Sequence, residues 1–199
     1  MEGHSVRLEP LSIAHLQALS EVGLDPELWK WTTTNIGTPE DMKEYIEVAL
    51  ECQREGMALP FAIIDKSTGK IAGSTRYGNI DTVNRRLEIG WTWIGRPWQR
   101  TIINTETKYL LLTHAFETLN CIRVEFKTDS LNTQSRNALL RIKAKEEGIL
   151  RNHMVSQGGR LRHSVYYSII ESEWPEVKKI LEKRLNEPRD FTTDDLSIL

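Results

Sequence analysis

The chain has 199 residues, with 26 Lys+Arg against 28 Asp+Glu and a formal charge of −2. At that length one domain can bury roughly 70% of its unfolded surface, and 39% hydrophobic residues with 12 glycines exclude a disordered or fibrous chain. The near-neutral balance argues against nucleic acid or an anionic membrane as a whole-surface partner.

Six tryptophans stand out: Trp29, Trp31, Trp91, Trp93, Trp98 and Trp174. Such flat aromatic surface suits either a deep core or a slot for a ligand, and composition leaves both open. Cys52 and Cys121 are too few and too far apart for a disulfide framework. The N-terminus lacks a basic start followed by an apolar run, and no window approaches the ~18 apolar residues of a membrane helix. A reduced, cytoplasmic protein is the expectation.

In chain order, Val6 and Leu8 open a short strand, and Ser12 is placed to cap a helix carrying Leu16 and Leu19. Residues 25–37 hold Trp29, Trp31 and three successive threonines without a period, so they read as an irregular connection. Thr38, Pro39 and Asp41 form a capping signature for a helix with Met42, Tyr45, Ile46 and Ala49 inward. Residues 60–64 and 70–77 flank a Lys66-Ser67-Thr68-Gly69 turn and read as a hairpin. The next strand, residues 86–94, places Leu87, Ile89, Trp91 and Trp93 on one face, with Glu88, Gly90 and Thr92 on the other.

Asn104 reads as the cap of a long helix with Leu110, Leu111, Leu112, Ala115 and Phe116. A strand follows over residues 121–128. Asn132 caps a further helix, with Ala138, Leu139 and Ile142 inward and Gly148 as its stop. Gly158-Gly159 turns a last hairpin, and Pro175 starts a final amphipathic helix. The order β-α-α-β-β-β-α-β-α-β-β-α predicts one α/β (α+β) domain with a mixed, mostly antiparallel central sheet flanked by helices. The domain spans residues 5–170, with residues 171–186 a C-terminal helix packed on it and residues 187–199 a mobile polar tail.

Several chemistries lack their residues. The five histidines form no HExxH and no Cys/His ligand spacing, so no metal is expected. GxSxG, Walker A and GxGxxG are also missing. One segment suits an anion: Trp98-Gln99-Arg100-Thr101-Ile102-Ile103-Asn104 leads from a strand into a helix N-terminus, where free amides and the helix dipole favour phosphate. An ordinary connection with a solvated Arg explains the same residues, and on this segment alone it is the better reading.

The surroundings alter that balance. Leu87-Glu88-Ile89-Gly90-Trp91, then Trp98 to Asn104, then Thr105-Glu106-Thr107-Lys108 with Leu110-Leu111-Leu112 resemble the GNAT superfamily of N-acetyltransferases, and more narrowly its RimJ/RimL-type branch. Ile122-Arg123-Val124, Thr128-Asp129, Asn132-Thr133-Gln134-Ser135-Arg136, Gly159-Arg160-Leu161-Arg162 and Glu173-Trp174-Pro175 fit in the same order. The resemblance covers about residues 5–185. It departs at three glycines: Arg100 and Ile102 stand where the family's pyrophosphate loop commonly has glycine, and Lys143 replaces another. The tyrosine that many relatives place in the fourth helix as general acid is missing, with Leu139 near that position.

The resemblance implies acetyl-CoA as co-substrate, with Trp93, Ile94, Gly95, Gln99, Arg100, Thr101, Ile102, Ile103, Asn104, Thr105 and Asn132 around it. It implies direct attack by a primary amine, of a protein N-terminus or a small molecule, on the thioester. Glu88 is the candidate base, against the alternative of a carboxylate paired with Arg86 or another base. Ser135 is the candidate proton donor to the thiolate, against a hydroxyl that serves the helix start. A backbone amide near Trp93 to Gly95, where the family's strand bulges, would hold the oxyanion. Trp29 and Trp31 are candidates for the acceptor channel, or packing anchors. Arg151, His153, Arg160, Arg162 and His163 form either a basic rim for anions or a solvated hairpin face. A catalytically quiet acyl-CoA-binding or regulatory module is the second reading, and a homodimer is possible.

Overall fold

The computed structural model describes residues 1–187, so the expected tail lies, from residue 188 on, outside the described residues. The strands are β1 (Val6–Pro10), β2 (Leu59–Asp65), β3 (Ile71–Asp81), β4 (Arg86–Ile94), β5 (Arg123–Asp129), β6 (Lys145–Val155) and β7 (Leu161–Ile170). The helices are α1 (Leu16–Gly23), α2 (Pro39–Arg54), α3 (Ile102–Thr113), α4 (Thr133–Arg141) and α5 (Trp174–Asn186). This is the predicted order of elements. The seven strands form one sheet ordered β1-β2-β3-β4-β5-β7-β6, antiparallel at every pairing except β4–β5.

Two apolar layers sandwich the sheet. On one face α1 and α2 bury Leu19, Trp29, Met42, Ile46 and Trp93. On the other, α3, α4 and α5 cover Tyr77, Leu87, Ile89, Val124, Phe126 and Tyr167. Local signals set several boundaries as expected. Thr38 accepts the Asp41 amide while Asp41 accepts that of Thr38, closing the capping box on α2. Asn132 caps α4 by accepting the Ser135 amide at 3.0 Å.

Three boundaries differ. Ser12 caps a short turn of 3-10 helix, and α1 begins only at Leu16. Thr101, not Asn104, caps α3: its extended backbone and hydroxyl, which accepts the Ile103 amide at 3.3 Å, leave Asn104 inside the first turn. Gly148 does not end α4, which stops at Arg141; it lies in β6, at a register shift against β7. Lys143 turns the chain after α4 instead, with a φ of 62° that L-residues seldom adopt.

Candidate active site where β4 and β5 part

β4 and β5 run side by side only over Arg86 to Glu88, paired with Arg123 to Glu125. Beyond Glu88 they diverge, and the β5-facing edge of β4 has no strand partner among the described residues. At the same point β4 bulges: Ser74 pairs with Trp93 and Arg76 with Gly90, so Trp91 and Thr92 oppose Thr75 alone. Trp91 takes a φ of 50° to do this. An uninterrupted strand would put Trp91 and Trp93 with Leu87 and Ile89. The extra residue instead sends both tryptophans to the α1/α2 face and Thr92 toward α3.

The two tryptophans also part company. Trp93 is core, 5.4 Å from the Trp29 ring, whereas Trp91 is 41% exposed and packs its ring against Gly78, where a Cβ would come within 2.3 Å of it. Gly95 is not the oxyanion donor, because its amide donates to the Ala72 carbonyl at 2.8 Å. Ladder hydrogen bonds alternate along an antiparallel pair, which turns the neighbouring Ile94 amide toward the open edge. The Ile94 carbonyl accepts the Gln99 side-chain amide at 2.8 Å, tying the following loop to the end of β4.

That loop keeps the geometry of a glycine without having one. Arg100 sits at φ 59°, and Thr101 holds the turn by donating its hydroxyl to the Trp98 carbonyl at 2.6 Å. The Trp98 indole donates to Asp65 at 3.0 Å, and Ser67 and Thr68 donate to the same carboxyl. Burial opposes ionisation of Asp65, but these hydrogen bonds prevail and hold it down at about 2. Ile103 is buried in the core and Ile102 packs against it. Asn104 and Thr105 line a narrow crevice of about 50 Å³ with Lys108, Leu139, Ile142, Arg141 and Arg184. Arg141 and Arg184 thus join Arg100 around the start of α3, a donor-rich setting that fits the phosphates of CoA.

Lys108 spans the parting strands from below. It is only 9% exposed, and its amine donates to the Thr92 hydroxyl at 3.0 Å while lying 5.8 Å from the Phe126 ring centre on β5. Thr92 in turn shares a hydrogen bond of 2.7 Å with Thr75. Burial with no carboxylate in reach pulls the Lys108 amine down to about 7. Its sequence context offered only a helical lysine beside Thr107.

The other candidates fall into place individually. Glu88 is buried and meets Lys127 at 3.5 Å and the Asn79 amide at 2.8 Å, while Arg86 pairs with Asp81 and Glu125 instead. Ser135 is half-buried, and the start of α4 uses its amide and not its hydroxyl. Trp29 is a packing anchor, 2% exposed with its indole donating to the Gly23 carbonyl at 2.7 Å. Trp31 remains at the surface of the site, under Arg160. The hairpin is not uniformly solvated: Arg151 and His163 are exposed, but Arg162 is buried. No group of side chains suited to a metal ion occurs among the described residues, and none of their helices is long and apolar enough to cross a membrane.

The sheet thus opens between β4 and β5, with a bulge on one lip and a helix start at its foot, a cleft that suits an extended ligand with an anionic end. The acetyltransferase (GNAT) domain family matches residues 5–145. The N-acetyltransferase p20 of Bacillus licheniformis, whose function is uncharacterised, is 28% identical over 84% of this chain and 93% of its own. YdaF of Bacillus subtilis (strain 168), named provisionally as a ribosomal N-acetyltransferase, is 36% identical over 53% of this chain and 57% of its own. The crystal structure of a GCN5-related N-acetyltransferase from Brucella melitensis superposes with a TM-score of 0.85 at 33% identity, over 92% of this chain and 84% of the other. The chain belongs to the GNAT acetyltransferase family. It is an acetyltransferase.

Proposed function

We propose that the protein transfers the acetyl group of acetyl-CoA to a primary amine by direct attack in a ternary complex, in the cytoplasm. The observation that carries this reading is the unpartnered β4 edge beyond Glu88, with the Trp91 bulge beside it. Acetyl-CoA supplies the activated acyl group, and this chain's residues supply position and proton traffic. The start of α3, Arg100, Arg141 and Arg184 would hold the phosphates, and the pantetheine would follow the open edge. Trp93 contributes backbone rather than its buried ring, and Asn132 orients the start of α4 on the far side.

As the amine nitrogen bonds to the carbonyl carbon and the carbon–sulfur bond breaks, one amine proton leaves and the thiolate gains one. Glu88 accepts the first through water and returns it to solvent, the Ile94 amide donates to the carbonyl oxygen, and the Ser135 hydroxyl protonates the sulfur and takes a replacement proton from solvent. The amine has no need of a strong base if it is an α-amine, whose pKa is about 7.7–8.0. The alternative, a quiet acyl-CoA-binding module, draws on the missing glycines at positions 100, 102 and 143. Arg100 and Lys143 nevertheless adopt the left-handed backbone that glycine would favour, so the chain path does not require those glycines.

Calorimetry with acetyl-CoA, then thiol release with a panel of amines, tests the reading. Saturable binding with turnover that falls at least tenfold in Glu88→Gln and in Ser135→Ala, about 1.4 kcal/mol of barrier each, is the expected result. Binding without turnover would favour the quiet module, and no binding would sink both.

A further inference from the structure

The sheet face turned away from α3 carries a row of charges: Arg76 on β3, Glu88 on β4, Lys127 and Asp129 on β5, Arg162 on β7 and Arg160 just before it. Their strand neighbours Tyr77, Leu87, Phe126 and Val165 point the other way into the core. Four of these side chains are almost fully enclosed: Arg76 is 4% exposed, Glu88 3%, Asp129 0% and Arg162 7%.

Each carboxylate already has one cation beside it. Lys127 and Asn79 hold Glu88. Arg160 pairs with Asp129, which also accepts the Leu131 amide at 2.9 Å. Arg76 has no hydrogen-bond or ion-pair partner among the described residues; its guanidinium lies between the rings of Tyr45 and Trp91, at 5.0 and 5.1 Å. Among the described residues Arg162 donates to the Trp31 carbonyl, at 3.3 Å, and lies in the field of Asp129 and Glu88 without an ion pair to either, and the Nε atoms of both arginines are buried without a hydrogen-bond partner. Four cations thus share two carboxylates, which pair with Lys127 and Arg160, and the two without an ion pair among the described residues are guanidinium groups, which do not neutralise by losing a proton. Buried charge of this kind calls for a counter-charge.

We propose that the counter-charge comes from the acceptor: a primary amine that also carries a carboxylate or a comparable oxyanion, read by Arg76 and Arg162 while its amine faces Glu88. Trp91 links the two functions, since its ring covers Arg76 and its backbone forms the bulge beside the reacting edge. The same surplus of positive charge disfavours polyamines. This assignment rests on the acetyl-transfer reading, and its test separates the two.

The test compares thiol release from acids and their carboxamides of matched shape: glycine, β-alanine and γ-aminobutyrate, each against its amide, and a peptide beginning with Glu against one beginning with Gln. Aminoethyl phosphate and spermidine complete the panel and distinguish the kind of oxyanion. The expected result is a preference of about tenfold or more in kcat/KM for the best anionic acceptor over its neutral partner, as charge-assisted hydrogen bonds would give. The ratio should fall toward one in Arg76→Gln and Arg162→Gln and recover in part in Arg76→Lys. Equilibrium titration with the N-acetyl acids and their amides reads the same preference without turnover, and thermal melts confirm that the variants fold. Anion-selective binding without thiol release would uphold the anion site and defeat acetyl transfer. Thiol release that favours neutral amines or spermidine, or a ratio unmoved by both glutamine variants, would overturn the proposal.

Discussion

Replacing Lys108 by methionine should change how stability depends on pH more than it changes the fold. The amine is buried, its only hydrogen bond among the described residues goes to Thr92, and burial holds it at about 7 against an ordinary 10.5. Between those values the unfolded chain binds a proton that the folded chain does not, so wild-type stability rises with pH across the window and falls as pH drops through it. Below pH 7 both states are charged and the loss is complete. At about 1.36 kcal/mol per pH unit, the loss between pH 10.5 and 7 comes to about 5 kcal/mol. Methionine has a similar length and no charge, and Thr92 keeps its bond to Thr75. Urea unfolding followed by tryptophan fluorescence, at intervals from pH 6.5 to 10, gives both stability curves. Lys108→Met should gain on the wild type by about 1.4 kcal/mol for each unit of acidification through the window and hold that gain below it. Tyrosine and thiol groups titrating in the same range cancel in the difference. Curves that stay parallel from pH 7 to 10 would refute the reasoning, because they would mean that Lys108 keeps its proton in the folded state.

Asp65 offers the opposite sign. Its folded pKa lies below its ordinary 3.8, so its stabilisation is present above that value and disappears as pH falls toward 2; Asp65→Asn should cost about 1–3 kcal/mol at pH 7, and acid titration of both proteins should bring them together. Lys143→Gly should be neutral to stabilising by up to about 1 kcal/mol, since a left-handed backbone costs an L-residue roughly 1–2 kcal/mol and glycine gives part of that back in chain entropy; thermal melting decides, and a clear fall in the midpoint would contradict the strain argument. If the protein is a homodimer, edge strand β6 is the natural seam, because Ile149, Leu150 and Val155 are about half exposed on it. Leu150→Glu should then shift sedimentation from dimer to monomer, and a wild type that sediments as a monomer removes this idea.

What the sequence discloses depends on the range of the force that decides each feature. The α2 cap at Thr38, the α4 cap at Asn132 and the hairpin at Gly158-Gly159 are settled within a few residues, and there the composition of the segment is enough. Thr101 and Asn104 are both sound caps in isolation; the choice between them is made by the Trp98 carbonyl and the Asp65 anchor that hold the loop. Trp91 and Trp93 leave the face that alternation predicts for a related reason. A bulge adds one residue to one strand, and period-two alternation cannot register it until the partner strand is known. The chemically decisive residues are the least legible of all. Lys108 has the spacing of any helical lysine, and it becomes a buried amine that gives up its proton easily only because β4 and β5 part above it. Arg76 and Arg162 lie in β3 and β7, strands without a shared motif, and their enclosure follows from Tyr45, Trp91 and Trp31 closing over them. A charged residue inside an otherwise apolar strand was the available signal. Its meaning required the count of carboxylates on the same face, which only the assembled sheet provides.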